Sequence, residues 1–169
     1  MARLQVLTLG TLELRCDGDL LEKPPTQKSQ SLFAYLVTQR STPHPRDRLM
    51  GLFWGDRPEK RARRSLATAL WHVRRSLPDD GWILSDTHYA HCDPQADLWL
   101  DSATFEALAG DGNVSDLKSA VELYRGDFLE GFYDDWVVEE RYRLQALLLD
   151  TLARLMAGQE RAGAHRVAL

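Results

Sequence analysis

Five side chains in one stretch have types and spacing suited to a polyanion. Arg61, Arg64, Thr68, Trp71 and Arg75 recur at three- and four-residue intervals within DRPEKRARRSLATALWHVRRSL (Asp56–Leu77), so a helix there carries them on one face. Ala62, Leu66, Ala69, Leu70, Val73 and Leu77 fall on the other face and read as a core stripe. No acidic residue interrupts Lys60 to Arg75, whereas a helix that needs only solvation mixes signs for i,i+4 support. Arginine can bond guanine in a bidentate manner, and the threonine methyl can meet thymine. Arg61, Arg64 and Thr68 are therefore the candidates for base edges. Lys60, Arg74 and Arg75 are assigned to phosphates, which position a protein without reading sequence, and Arg57 at the helix entrance is grouped with these contact residues. His72 can serve either role. Trp71 is expected to pack on a neighbouring hairpin or a backbone sugar, because an exposed indole is unusual.

The flanking segments supply what such a helix needs to be held in place. Leu4 to Leu9 and Leu12 to Arg15 alternate apolar positions, Asp17-Gly18-Asp19 makes a turn, and Leu20-Leu21 suits a third short strand, so a small antiparallel sheet opens the fold. Thr26 reads as the N-cap of a helix to about Gln39 with Leu32, Phe33, Leu36 and Val37 inside. Ser41 to Pro45 reads as a loop because each proline pushes its predecessor out of helical space. A helix over Arg46 to Phe53 then buries Leu49, Leu52 and Phe53, and Trp54-Gly55-Asp56 turns into the basic helix. That order is the order of a helix-turn-helix. After Pro78-Asp79-Asp80-Gly81, the residues Trp82-Ile83-Leu84 and Tyr89 to Cys92 suit a hairpin around Asp86-Thr87-His88. A hairpin there has the place of a wing, with Thr87 and His88 at its tip as further DNA contacts.

From Asp97 the pattern reads as purely helical. Asp101-Ser102 is expected to cap a short helix through Leu108, Ser115 a second through about Tyr124, and a long helix is expected from about Asp135 to Ala157, ended by Gly158 and Gly163. Leu144, Leu147, Leu148, Leu152 and Leu155 form its apolar stripe and require partner helices. The resulting expectation is a mainly α fold with small β-sheets: a winged helix-turn-helix over residues 1–95, then a helical, tetratricopeptide-like domain over residues 96–169.

Composition narrows the alternatives. The chain has 169 residues, 44% hydrophobic and 27% charged, which is ordinary for globular protein and leaves room for one domain or two small ones. The net charge of -4 conceals two opposed halves, since Pro43 to Arg75 holds nine Lys and Arg against three acidic residues. No apolar run reaches membrane-span length, and MARLQVLTLG lacks a signal peptide's pattern, so a soluble cytoplasmic protein with no membrane partner is expected. Cys16 and Cys92 match no metal spacing and are expected to be reduced thiols. His88-x-x-His91-Cys92 lacks a second ligand pair, so no metal and no cofactor are expected. Asp134-Asp135 and Glu139-Glu140 read as an acidic first turn favoured by the helix dipole, and Arg125-Gly126-Asp127 as a loop. There is no Gly-rich phosphate loop, no nucleophile elbow and no Ser or Cys with a base partner, so an enzyme is not expected.

LGTLELRCDGD, RDRLMGLFWGDRPEKRARRSLATALWHVRRSL and LYRGDFLEGFYDDWVVEERYRLQALLLDTLARL together resemble signatures of bacterial transcriptional activators of the antibiotic-regulatory type. Those proteins join an OmpR-type winged helix to a bacterial transcriptional activator domain. The resemblance implies binding of double-stranded promoter DNA at direct repeats by head-to-tail protomers, hence self-association on DNA, and activation through RNA polymerase. It also implies that 96–169 is the first part of a domain that normally continues. Trp54 to Glu59 resembles the segment through which related winged helices touch polymerase. The competing reading is a protein-interaction module whose helical half does the work, with the basic helix docked on an acidic protein surface. A helix or coil over residues 82 to 93 and a buried basic face would favour the latter.

Overall fold

The computed structural model describes residues 2–168. Among them the chain forms β1 (Leu4–Leu7), β2 (Glu13–Cys16), β3 (Asp19–Leu21), α1 (Gln27–Thr38), β4 (His44–Pro45), α2 (Arg46–Trp54), α3 (Glu59–Ser76), β5 (Ile83–Ser85), β6 (Tyr89–Cys92), β7 (Leu98–Leu100), α4 (Asp101–Asp111), α5 (Val114–Leu123) and α6 (Asp135–Ala168). It is a mainly helical fold with small sheets. Two compact units divide it: Met1–Val6 with Glu13–Trp99, and Leu7–Leu12 with Leu100–Leu169.

In the first unit the strands lie in the order β3-β2-β1-β7. β2 and β3 are antiparallel with Cys16 opposite Asp19, which leaves two residues for the turn. Asp17 and Gly18 take φ of 50° and 90° there, the left-handed pair that matches strand twist in a two-residue hairpin. α1 begins at a reciprocal cap: Thr26 Oγ1 accepts from Ser29 N, and Ser29 Oγ accepts from Thr26 N, which satisfies otherwise orphaned donors. Its Leu32, Phe33, Leu36 and Val37 are fully buried, and they meet the inner stripe of α3, where Leu66, Leu70 and Val73 are at most 2% exposed. Glu59 opens α3 and Arg74 and Arg75 close it, each placed favourably for the helix dipole.

Two parts of this unit depart from the sequence-based expectation. In α2, Leu52 is exposed while Met50 and Trp54 are buried beside Leu49 and Phe53. The buried face thus runs at positions 49, 50, 53 and 54, and Leu52 falls outside it. Residues 41–45 are not wholly loop, because His44 and Pro45 pair antiparallel with Ala90 and Tyr89. This gives the second sheet the order β4-β6-β5, and Pro45 tolerates it as an edge residue.

The second unit stacks α4 on α5 and α5 on α6, with the segment 7–12 running beside them. Thr8 O accepts from Leu129 N, Gly10 O from Glu130 N, and Asp127 O from Gly10 N. Gly10 has φ of 118°, a conformation open to glycine. The turn at 128–132 is drawn together by Arg141, whose guanidinium donates to the carbonyls of Phe128, Leu129 and Phe132 at 3.0, 2.7 and 2.9 Å.

Several helix limits here differ from expectation. A strand, β7, precedes the helices, so the region from Asp97 is not purely helical. Asp101 does not serve simply as the cap of α4; it is the first helical residue, after an N-cap at Leu100 that makes no side-chain bond. Asn113, not Ser115, caps α5, its side chain accepting from Ser115 N. α6 runs past Ala157 through both glycines. At Gly158 a Cβ would sit 2.7 Å from Val114 Cγ2, so this glycine permits a close helix approach and does not stop the helix. Of the expected stripe on α6 only Leu144 is fully buried; Leu147, Leu148, Leu152 and Leu155 are half-buried, and Val137 and Thr151 complete the inner face.

Candidate nucleic-acid interface

Packing determines which face α3 presents. Because Ala62, Leu66, Ala69, Leu70 and Val73 are buried, the residues between them on the helical wheel must point outward. Lys60, Arg61, Arg64, Thr68, Trp71 and Arg75 are accordingly all exposed, in one stripe about four turns long. Each of these candidate contacts therefore lies on the same surface.

The remaining candidates have engagements of their own. Arg57 is exposed and donates to Ser65 Oγ at 2.7 Å, which turns it back along α3. Arg74 is half-buried and donates to Ser85 Oγ and, at 3.4 Å, to Ile83 O. Its guanidinium thus ties α3 to β5. His72 is half-buried with its ring 5.2 Å from that of Trp71. Trp71 is 54% exposed, and Arg75 stacks over its ring, 5.1 Å from the centroid.

The hairpin β5–β6 pairs Ile83 with Cys92 and Ser85 with Ala90. Trp82, fully buried, anchors its base by donating Nε1 to Asp97 O at 3.2 Å. At the tip, Asp86 Oδ1 accepts from His88 N at 2.7 Å and Tyr89 N at 2.8 Å, leaving Thr87 and His88 exposed. Arg46 fastens the same turn from α2, its side chain donating to Asp86 O at 3.0 Å and its backbone N to His88 O at 2.8 Å. A groove of about 670 Å³ lies between the tip and the starts of α2 and α3, lined by Arg46, Asp47, Met50, Glu59, Arg63, Asp86, Thr87 and His88. Arg46 and Arg63 did not stand out as site residues in the sequence. Only the pairing of His44 and Pro45 with residues some 45 positions later brings Arg46 to the tip, and no local pattern signals that pairing. Arg63 is held by Glu59 at 2.9 Å, an exposed pair of small energetic weight.

The two bonds to His88 and Tyr89 hold the Asp86 carboxyl below the usual carboxylate pKa. A folded pKa below the unfolded one means that its stabilisation is present above the unfolded pKa and is lost as pH falls through the folded value. The protection of the His88 and Tyr89 amides against hydrogen exchange, taken relative to the intrinsic rate at each pH, should therefore fall on acidification through the carboxylate range. In Asp86→Ala the protection should be low throughout and lack that step; a step of unchanged size would assign the effect elsewhere.

Among the described residues no group of three or more His, Cys, Asp or Glu could hold a metal ion, and no helix is long and apolar enough to cross a membrane. No family model matches the chain, and no curated protein does. Among solved structures, Mycobacterium tuberculosis EmbR, determined in complex with a low-affinity phosphopeptide, matches with a TM-score of 0.77 at 20% identity. The match covers 96% of this chain and 47% of the EmbR chain, so the chain spans about half the length of that structure. At such identity the likeness is one of fold.

Proposed function

We propose that this chain is a sequence-specific DNA-binding transcription regulator, with a winged helix-turn-helix at residues 1–95 and a tetratricopeptide-like helical part from residue 96. The observation that carries the reading is the exposed stripe Lys60, Arg61, Arg64, Thr68, Trp71 and Arg75, free of acidic residues, on a helix whose opposite face is sealed in a core. A major groove admits an α-helix of this kind. The hairpin that follows α3 has the place of a wing, and His88 and Thr87 are its candidate contacts to backbone or minor groove. An ordered hairpin over 83–92 and exposed Arg61, Arg64 and Arg75 favour DNA over docking of α3 on an acidic protein surface. The sequence resemblance adds activation at direct repeats through self-association on DNA, and contact of Trp54 to Glu59 with RNA polymerase.

Affinity for duplex DNA should fall steeply with salt, because each neutralised phosphate releases counterions. Lys60→Ala should reduce the slope of log K against log salt by about one. Arg64→Ala should cost about 1–3 kcal/mol and relax preference at one base pair. Binding titrations on duplexes selected from a random pool test both; affinity indifferent to salt, or no duplex bound, would refute the proposal.

A further inference from the structure

The stripe on α3 is cationic or polar at every exposed contact position except one. Trp71 sits toward its C-terminal end with 54% of its surface exposed, which leaves a large apolar face in water at a cost that burial would recover. Its ring is not loose. Arg75, one turn further on, covers it at 5.1 Å, and the ring of His72 meets it at 5.2 Å with planes inclined at 63°. The stacking also restrains Arg75: a guanidinium lying on an indole keeps its fork of donors in one plane.

The chemistry of the groove limits what can face such a pair. In the major groove the edges of all four base pairs present hydrogen-bond donors and acceptors, with a single apolar group, the C5-methyl of thymine. An indole exposed on the groove-facing side finds its apolar complement there. A planar arginine beside it finds guanine O6 and N7. Trp71 and Arg75 are four residues apart, about 6 Å along the helix, which corresponds to one or two base-pair steps at about 3.4 Å each.

Resting on the DNA-binding reading, we infer that Trp71 and Arg75 form one sequence-reading unit: Trp71 recognises the thymine methyl, and Arg75, held by the indole, reads a guanine one or two steps away. Trp71's part of this selectivity differs from that of Arg61 and Arg64 in coming from an apolar contact, which removes no charge from solution and carries no salt dependence of its own.

Two random-sequence duplex pools test this with the full chain, one containing thymidine and one with deoxyuridine in its place. The wild type should select sequences with a thymine near a guanine from the first pool. It should bind the uracil version of those sequences about fourfold more weakly per contacted methyl, the value of burying one such group. Trp71→Ala should lose that fourfold factor for one methyl while keeping the wild-type salt slope, since no charge is removed, and any contact of the Thr68 methyl with thymine should stay as in the wild type. Arg75→Lys should keep the slope and lose the guanine preference. Because Trp71 is exposed, the Ala variant should unfold at the wild-type temperature, and Trp71→Phe, which retains an apolar ring, should keep part of the methyl preference. A wild type indifferent to the methyl, or a Trp71→Ala variant that distinguishes the two versions as strongly as the wild type, overturns the inference while salt-dependent binding leaves the functional proposal standing. A wild type that binds neither pool overturns both.

Discussion

Replacing Asp101 with alanine should destabilise the second unit by about 3–5 kcal/mol, from several buried donors left unmet at once. The carboxylate is 1% exposed, and it is the hub of the segment 7–12. Oδ1 accepts from Thr8 N at 2.8 Å, Thr8 Oγ1 at 2.9 Å and Ser102 N at 2.8 Å, and Oδ2 accepts from Leu9 N at 2.9 Å. The nearest cation, Arg125, is 3.8 Å away and half exposed, so it compensates the buried charge weakly.

Asp101→Asn should be milder, about 1–3 kcal/mol. Its Oδ1 keeps three of the donors, but an amide nitrogen then faces Leu9 N, donor against donor. Urea unfolding would give this order, with alanine worst. There is also a signature in pH. Burial raises the Asp101 pKa, more than the bonds from Leu9, Thr8 and Ser102 lower it. A folded pKa above the unfolded one contributes stability that is full below the unfolded value and lost as pH rises through the folded one. This part of the pH dependence should be absent in Asp101→Asn. An alanine variant within about 1 kcal/mol of wild type would show that these bonds exchange freely with water.

The second large effect is expected at Trp82. Trp82→Ala should cost about 3–5 kcal/mol, the range for emptying a buried aromatic site. The side chain is fully buried, it donates to Asp97 O, and its own carbonyl accepts from Asp93 N at 2.8 Å. It lies at the foot of the hairpin, so contact through Thr87 and His88 should fail together with stability. Trp82→Phe retains most of the apolar volume and should lose less, chiefly the bond to Asp97 O. Leu84→Ala, two residues on at a side chain 39% exposed, should fall within about 0.5 kcal/mol of wild type. Urea denaturation of the three variants checks the order, and equal losses at Trp82 and Leu84 would contradict the assigned burial.

Much of the candidate interface was legible in the sequence, and the reason is periodicity. The core stripe of α3 and the outward cations follow from a single 3.6-residue repeat, so Arg61, Arg64, Thr68 and Arg75 share an exposed surface as the pattern requires. Thr26 and Asp17-Gly18 are equally local, since a cap and a primed turn depend on a few adjacent residues. The hairpin around Asp86 follows from alternation on either side of a turn former.

What only the tertiary structure decided are the features that depend on what lies opposite. Arg74 has the same residue type as its neighbour Arg75, yet β5 takes its guanidinium while Arg75 lies on Trp71. Leu52 has the hydrophobicity of a core residue, but the buried face of α2 passes to one side of it. Gly158 reads as a helix stop until Val114 is found against it. Asp101 reads as a cap until Thr8 and Leu9, more than 90 positions earlier, are found on its carboxylate. Local sequence determines which backbone bonds and faces are favourable, because those energies act over a few residues. Which polar group meets which, and which apolar side chain stays in water, depends on contacts between distant segments, and these exist only after the chain has folded.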